Sequence, residues 1–332
     1  MTDFTELVDL AAERLGGAVL YANDDFFAPK ENLLKASAPV FREGEYTDRG
    51  KWMDGWESRR RRTPGYDWCI IRLGLPGLIR GVVVDTSYFK GNYPEQCSME
   101  ACAIAGQPDI EKVLSDSVEW REVLPVSQLK GDSLNPFPVS YDQRATHLRF
   151  KIYPDGGVAR LRVYGEAVPD WSRIKRARLI DLAAVEHGGR VLASSDMFFG
   201  HRHNLIMPGR AADMSDGWET KRRRGPGHDW VIIRLGARGI IEQVEVDTSH
   251  FKGNYPESCS IEGCDAPDAV GDAEALACLT WTELLPRTSL QAHTRHFFSD
   301  ELKEAGALTH VRFNIYPDGG VSRLRLYGSI EE

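Results

Sequence analysis

The chain reads as all-β, built from two tandem β-sandwich domains that each open with a short N-terminal helix. Three observations predict this. The 332 residues repeat themselves once, and a fixed long-range repeat means two copies of one folding unit. Short runs rich in Val, Ile, Phe, Tyr and Trp recur between turns bearing Gly and Pro, which is strand rather than helix chemistry. At roughly 100–200 residues per domain, the length also suits two domains.

The repeat is dense. Asp54–Cys102 aligns with Asp216–Cys264 without a gap, and about two-thirds of the positions are identical. "DGWESRRRRTPGYDWCIIRLG" matches "DGWETKRRRGPGHDWVIIRLG", and "DTSYFKGNYPEQCSMEAC" matches "DTSHFKGNYPESCSIEGC". Near the ends, "THLRFKIYPDGGVARLRVYG" matches "THVRFNIYPDGGVSRLRLYG". The predicted domains are residues 1–167 and 179–332. The proline-bearing, mixed-charge segment 168–178 joins them. Repeat 1 carries extra residues around "KASAPVFREGEYTDRGKW".

Taken in order, "VDLAAERLGG" and "IDLAAVEHGG" predict short amphipathic helices closed by glycine. "DWCIIRLG" and "GLIRGVVVDTSYF" predict two strands separated by a Gly/Pro turn. "CSMEAC", "WREVL" and "HLRFKIY" follow as further strands. "IYPDGGVARLRVYG" reads as a hairpin, with Pro at the first corner and Gly where φ must be positive. Following chain direction, the DGWE-RRR and KGNYPE loops fall at one end of each sandwich. If the segment around Phe137, and Phe297–Phe298 in repeat 2, adds a strand, PDGG joins them there. Loops on a rigid sandwich commonly carry function.

The formal net charge of −8 argues against nucleic acid or an anionic membrane as partner, since both select basic surfaces. No basic, apolar leader opens the chain, and no run reaches the ~18–20 apolar residues of a membrane span. The expected compartment is the cytoplasm. Cys69, Cys97, Cys102, Cys259, Cys264 and Cys278 are there expected as reduced, buried thiols. The five-residue spacing within each pair places the two side chains on opposite faces of a strand, poor geometry for a shared metal.

Each loop residue has a structural and a chemical reading. Gly91, Asn92 and Pro94 suit a tight turn, as do Asp155 and Asp318. Trp56 and Trp218 suit the core. The Arg59–Arg62 run suits a solvated face, a subunit contact, or a clamp for a carboxylate, whose geometry guanidinium forks match. Asp54, Glu57, Asp216 and Glu219 suit either an ion-pair network or acid–base work tuned by those arginines. His228 replaces Tyr66 and is the titratable difference between the two loops with a pKa near neutrality.

Taken together, the paired DGWE(S/T)-RRR, DTS-FKGNYPE-CS-E-C and YPDGGV-RLR-YG blocks resemble the allantoicase family, over nearly the whole chain and in both repeats. The resemblance implies jelly-roll sandwiches of the galactose-binding-like type and a homo-oligomer. It also implies hydrolysis of allantoate to ureidoglycolate and urea in purine (allantoin) breakdown. Allantoate is a small anion with two ureido groups on one carbon. Its carboxylate requires a cationic clamp, its leaving group a proton donor, and its water or remaining ureido nitrogen a base. From that need and from loop placement, Arg222, Arg223, Arg60 and Arg61 are candidates for the carboxylate, with Arg323 adding to the clamp. Asp216, Glu219 and His228, with Asp54 and Glu57 in repeat 1, are candidates for acid and base. Lys252, Asn254 and Tyr255, with Lys90, Asn92 and Tyr93, are candidate donors to the ureido oxygens.

No nucleophile elbow, zinc-protease helix, P-loop or dinucleotide glycine run is present. The sequence requires no cofactor, and its Asp, Glu and His residues leave room for a divalent metal. A tandem carbohydrate-binding, lectin-like module is the alternative, because sandwiches of this kind often bind sugars on loop rims. The missing leader and the charged, not aromatic, loops weigh against it. A division of labour, one repeat catalytic and the other structural, is left open by sequence.

Overall fold

The structure, a computed structural model, describes residues 4–174, 179–269, 276 and 279–331. It separates into two compact units, Met1–Val168 and Pro169–Glu332. Within the segment read as a linker, Trp171–Ile174 form one helical turn, and 175–178 lie outside the described residues. Cys278 also lies outside them.

Each unit is a two-layer antiparallel β-sandwich whose layers share one long strand, Asp67–Asp85 in unit 1 and Asp229–Asp247 in unit 2. In unit 1 the first half of that strand lies between Ala18–Ala22 and Ala145–Tyr153. Gln96–Cys102 and Arg121–Gln128 extend this layer. The second half lies between Arg160–Ala167 and Leu134–Pro138, and Val8–Asp9 closes the far edge. Unit 2 repeats the order strand for strand.

Two strands separated by a turn were expected from "DWCIIRLG" and "GLIRGVVVDTSYF". Instead one 19-residue strand crosses between the layers. Gly77 pairs with Ala145 in one layer and Ala167 in the other, so the change of layer falls there. A Cβ on Gly74 would lie 2.7 Å from Leu15 backbone atoms, and one on Gly77 2.3 Å from the Glu166 carbonyl. The glycines thus permit close backbone approach at a bend without breaking the ladder. The strand still starts and ends at the same rim, so the expected convergence of loops survives this correction. The strands expected around Phe137 and Phe297–Phe298 are present.

The N-terminal helices are single 3₁₀ turns, Glu13–Leu15 and Val185–His187, closed by Gly16 and Gly188 in the left-handed region. The preceding Val8–Asp9 and Ile180–Asp181 pair as strand edges instead of extending a helix. The expected IYPDGG hairpin is also absent. Ala145–Tyr153 and Arg160–Ala167 do not pair with each other, because the long strand lies between them. The chain crosses from one layer to the other, and on the way Gly157–Val158 pairs with Trp56–Glu57.

Beneath the rim, Trp56, Trp218, Phe89 and Phe251 are fully buried. Each indole N–H finds a carbonyl, Asp24 at 2.8 Å and Asp196 at 2.9 Å, as a buried tryptophan must. Burying a side chain of Phe size contributes about 1.5–3 kcal/mol, so these residues anchor the loops to the sandwich. The five described cysteines are buried free thiols. Burial pushes Cys97, Cys102 and Cys259 up to about 12, which leaves them without thiolate character.

Candidate functional site

Three loops meet at the rim of each unit because the PDGG turn rests directly on the FKGNYPE loop. A Cβ on Gly319 would lie 2.7 Å from the Asn254 carbonyl oxygen and 2.8 Å from Pro256 N. One on Gly320 would overlap the Phe251 ring at 1.9 Å. Gly319 also has φ +135°, a conformation that side chains disfavour. With both positions bare, Gly320 N–H donates to the Asn254 carbonyl at 2.8 Å, and Thr220 N–H to the Gly319 carbonyl at 3.1 Å. The Asp318 carboxylate accepts from Arg223 N–H at 2.7 Å, and Asp155 does the same for Arg61 at 2.8 Å. Asp155 and Asp318 therefore tie the turn to the arginine loop, beyond the plain turn role read for them.

In unit 2 these loops enclose a cleft of about 670 Å³, a size suited to a small ligand. Glu219, Arg222, Arg223, Asn254 and Tyr255, all expected from sequence, line it. The Asn254 side-chain amide donates to Glu219 Oε1. In unit 1 the equivalent Asn92 amide donates to Glu57 Oε1 at 2.7 Å. Burial raises the Glu57 carboxyl above the ordinary range, against the lowering effect of Asn92. Arg222 and Arg60 are exposed and form no ion pair among the described residues. Arg223 instead gives its guanidinium to the buried carboxylate of Asp229, and Arg61 gives its own to Asp67 at 3.2 Å. Among the described residues, the free cation at the cleft is therefore Arg222.

Other candidates stand elsewhere. Arg323 is almost fully buried and bonds Asp216 Oδ2 at 2.8 Å, while its remaining nitrogens donate to the Gly209, Asp216 and Ser322 carbonyls. Arg160 and Asp54 form the same pair in unit 1 at 2.7 Å. Burial there is outweighed by the Arg160 hydrogen bond, the Val40 N–H and the nearby cations, which hold Asp54 below the ordinary carboxylate range. Asp54, Asp216 and Arg323 thus take the ion-pair reading, and neither Asp216 nor Arg323 lines the cleft.

His228 does not reach the cleft. It shares a separate recess with Trp230, Arg287 and Asn314, its Nε2 3.3 Å from Asn314 Oδ1 and its ring 4.7 Å from Tyr316. His228 lies just before the strand that begins at Asp229 and shares that recess with Trp230. Lys252 is exposed and off the cleft wall. Lys90 is exposed, 3.8 Å from Asp132. Tyr93 packs against the cluster of Met53 and Phe89.

Sequence reasoning missed three cleft residues, Phe199, Ser289 and Leu290. Ser289 pairs with Ser258, and Leu290 N–H donates to the Glu257 carbonyl at 2.9 Å, so the end of a distant strand is brought beside the loop. The doubled "DDFF" and "DMFF" words were the available signal for Phe199. Among the described residues, no group of three or more His, Cys, Asp or Glu side chains is placed to hold a metal ion, and no helix is long and apolar enough to cross a membrane.

Comparison with known proteins agrees over both units. The family described as "Allantoicase repeat" matches residues 8–168 and again 180–331. A probable allantoicase of Pseudomonas fluorescens (strain SBW25) is 49% identical over 330 residues, covering 99% of this chain and 98% of its own. One from Pseudomonas aeruginosa (strain UCBPP-PA14) is 51% identical over 327 residues, covering 98% and 97%. The crystal structure of allantoicase from Saccharomyces cerevisiae superimposes with a TM-score of 0.80 at 37% identity, covering 97% of this chain and 93% of that one.

Proposed function

The chain belongs to the allantoicase family, and we propose that it hydrolyses allantoate to ureidoglycolate and urea in the unit 2 cleft. The observation that carries this location is the meeting of a carboxylate, Glu219, with an exposed guanidinium, Arg222, and the amide of Asn254 on the walls of one cleft. The lectin-like alternative is set aside, since the relatives about half identical over nearly the full length are probable allantoicases.

The chemistry follows from what each group offers. Arg222 pairs with the substrate carboxylate and fixes the central carbon over the cleft. Asn254 holds one oxygen of Glu219, which leaves the other to move a proton. Glu219 takes a proton either from water or from the N–H of the ureido group that stays. It returns that proton to the nitrogen that leaves. The bond from the central carbon to that nitrogen breaks, urea departs, and the oxygen of water takes its place on the carbon. Tyr255 stands on the same wall as a donor to a ureido oxygen. Glu57 and Asn92 hold the equivalent pair in unit 1.

In this reading the enzyme works in the cytoplasm as a homo-oligomer, which light scattering of the purified protein tests. Urea release from allantoate, with and without chelator, tests the activity and any role of a divalent ion. Release by the wild type that Glu219→Gln abolishes supports the reading. Full release by that variant removes Glu219 from it.

A further inference from the structure

We propose that repeat 1 carries a second binding site, absent from repeat 2, for a small carboxylate that also offers amide or ureido N–H groups. Phe27 and Asp54 are 27 positions apart, whereas Phe199 and Asp216 are 17 apart. The additional residues of repeat 1 form a small hairpin, Tyr46–Thr47 with Gly50–Lys51. Arg49 fastens it by donating to the Phe26 carbonyl at 3.2 Å and lying 5.2 Å over the Phe26 ring.

The hairpin stands across from the loop that follows Asp85 and leaves a cleft of about 490 Å³ between them. Phe41, Met53 and Tyr88 form its apolar walls, with Phe41 and Tyr88 stacked at 5.7 Å and 27°. Lys51 and Lys90 supply its charge. The Lys51 ammonium lies 4.6 Å over the Phe41 ring and has no carboxylate partner among the described residues. Among the described residues Lys90 pairs with Asp132 alone, at 3.8 Å. In a chain of net charge −8, two cations against an aromatic wall favour a small flat anion. Asn92 adds selectivity. Its side-chain amide nitrogen is given to Glu57, so its side-chain oxygen Oδ1 is left to accept an N–H from the ligand.

Among the described residues, repeat 2 forms no such hairpin, and His250, in the place of Tyr88, sets its Nε2 3.1 Å from the Ala211 carbonyl. The proposal is therefore separate from the hydrolytic cleft and does not depend on it.

The test uses the full chain labelled with ¹³C-methyl methionine, the Met53 signal being assigned with Met53→Leu. The probe is hydantoate, a carboxylate bearing a single ureido group. The Met53 signal is expected to shift saturably, and glycolate, which lacks the N–H groups, to bind more weakly. Lys51→Glu, at an exposed position, should weaken hydantoate about tenfold or more, the loss of one charged hydrogen bond. Arg222→Ala, which disarms the unit 2 cleft, should leave the Met53 shift in place. Urea release from the same samples reports on the hydrolytic cleft separately. No Met53 shift, a shift indifferent to Lys51→Glu, or one lost in Arg222→Ala would each overturn the proposal.

Discussion

The side-chain amide of Asn254 is bonded to the carboxylate of Glu219, and Asn92 is bonded to Glu57 in the same way in the other repeat. The bond joins the FKGNYPE loop to the DGWE strand, so the most repeated words of the sequence meet at one carboxylate. In the proposed mechanism Asn254 is thus a positioning residue for Glu219. Replacing it with Ala should lower kcat for urea release by about 10²-fold, the cost of a misplaced catalytic group. KM and the thermal midpoint should change little. A fall in the midpoint that accounts for the whole loss would assign Asn254 to stability instead.

In the proposed mechanism Arg222 serves binding, whereas the buried Arg160 serves folding. Arg222→Ala should raise KM about tenfold or more, the loss of a charged hydrogen bond, and leave stability unchanged. Arg222→Lys should restore only part of this, because an ammonium lacks the paired donors. Arg160→Ala leaves the buried Asp54 carboxylate with Val40 N–H and the more distant Lys35, 3.6 Å away, and should destabilise by roughly 3 kcal/mol, read from guanidinium unfolding.

Gly319→Ala tests the loop contact itself. Its Cβ would press on the Asn254 carbonyl at 2.7 Å and occupy φ +135°. The PDGG turn must shift, and kcat/KM should fall although no group that touches substrate has changed.

The buried histidines set a pH dependence of stability. Burial, aided by Arg72, lowers His147 to about 4, and burial likewise lowers His310. The unfolded chain then binds the proton near the ordinary value and the folded chain does not. Stability is complete above about 6.5 and falls as pH drops from there toward 4. For His147 alone the span is about 3 kcal/mol. His147→Gln should flatten that slope in unfolding measured between pH 4 and 7.

The doubled architecture and the meeting of three loops were legible because repeated blocks and alternating strands act locally. The fate of single side chains was not. Arg222 and Arg223 are neighbours in one run, yet Arg223 turns to the buried Asp229 and Arg222 stays exposed. Arg323 read as a clamp, but a partner 107 positions away claims it. The PDGG hairpin failed because turn chemistry fixes a bend and not which strands pair after it. His228 was chosen as the titratable difference between the two loops, and it stands in another recess. The misreadings of Arg323 and of the PDGG hairpin turn on partners distant in the chain.

The most direct measurement of the central claim is kcat for urea release in Glu219→Gln beside Glu57→Gln. A lost proton-transfer group should cost about 10²–10⁴-fold. The account predicts that loss in Glu219→Gln, with Glu57→Gln close to wild type. Wild-type turnover in Glu219→Gln, or the full loss in Glu57→Gln alone, would contradict it.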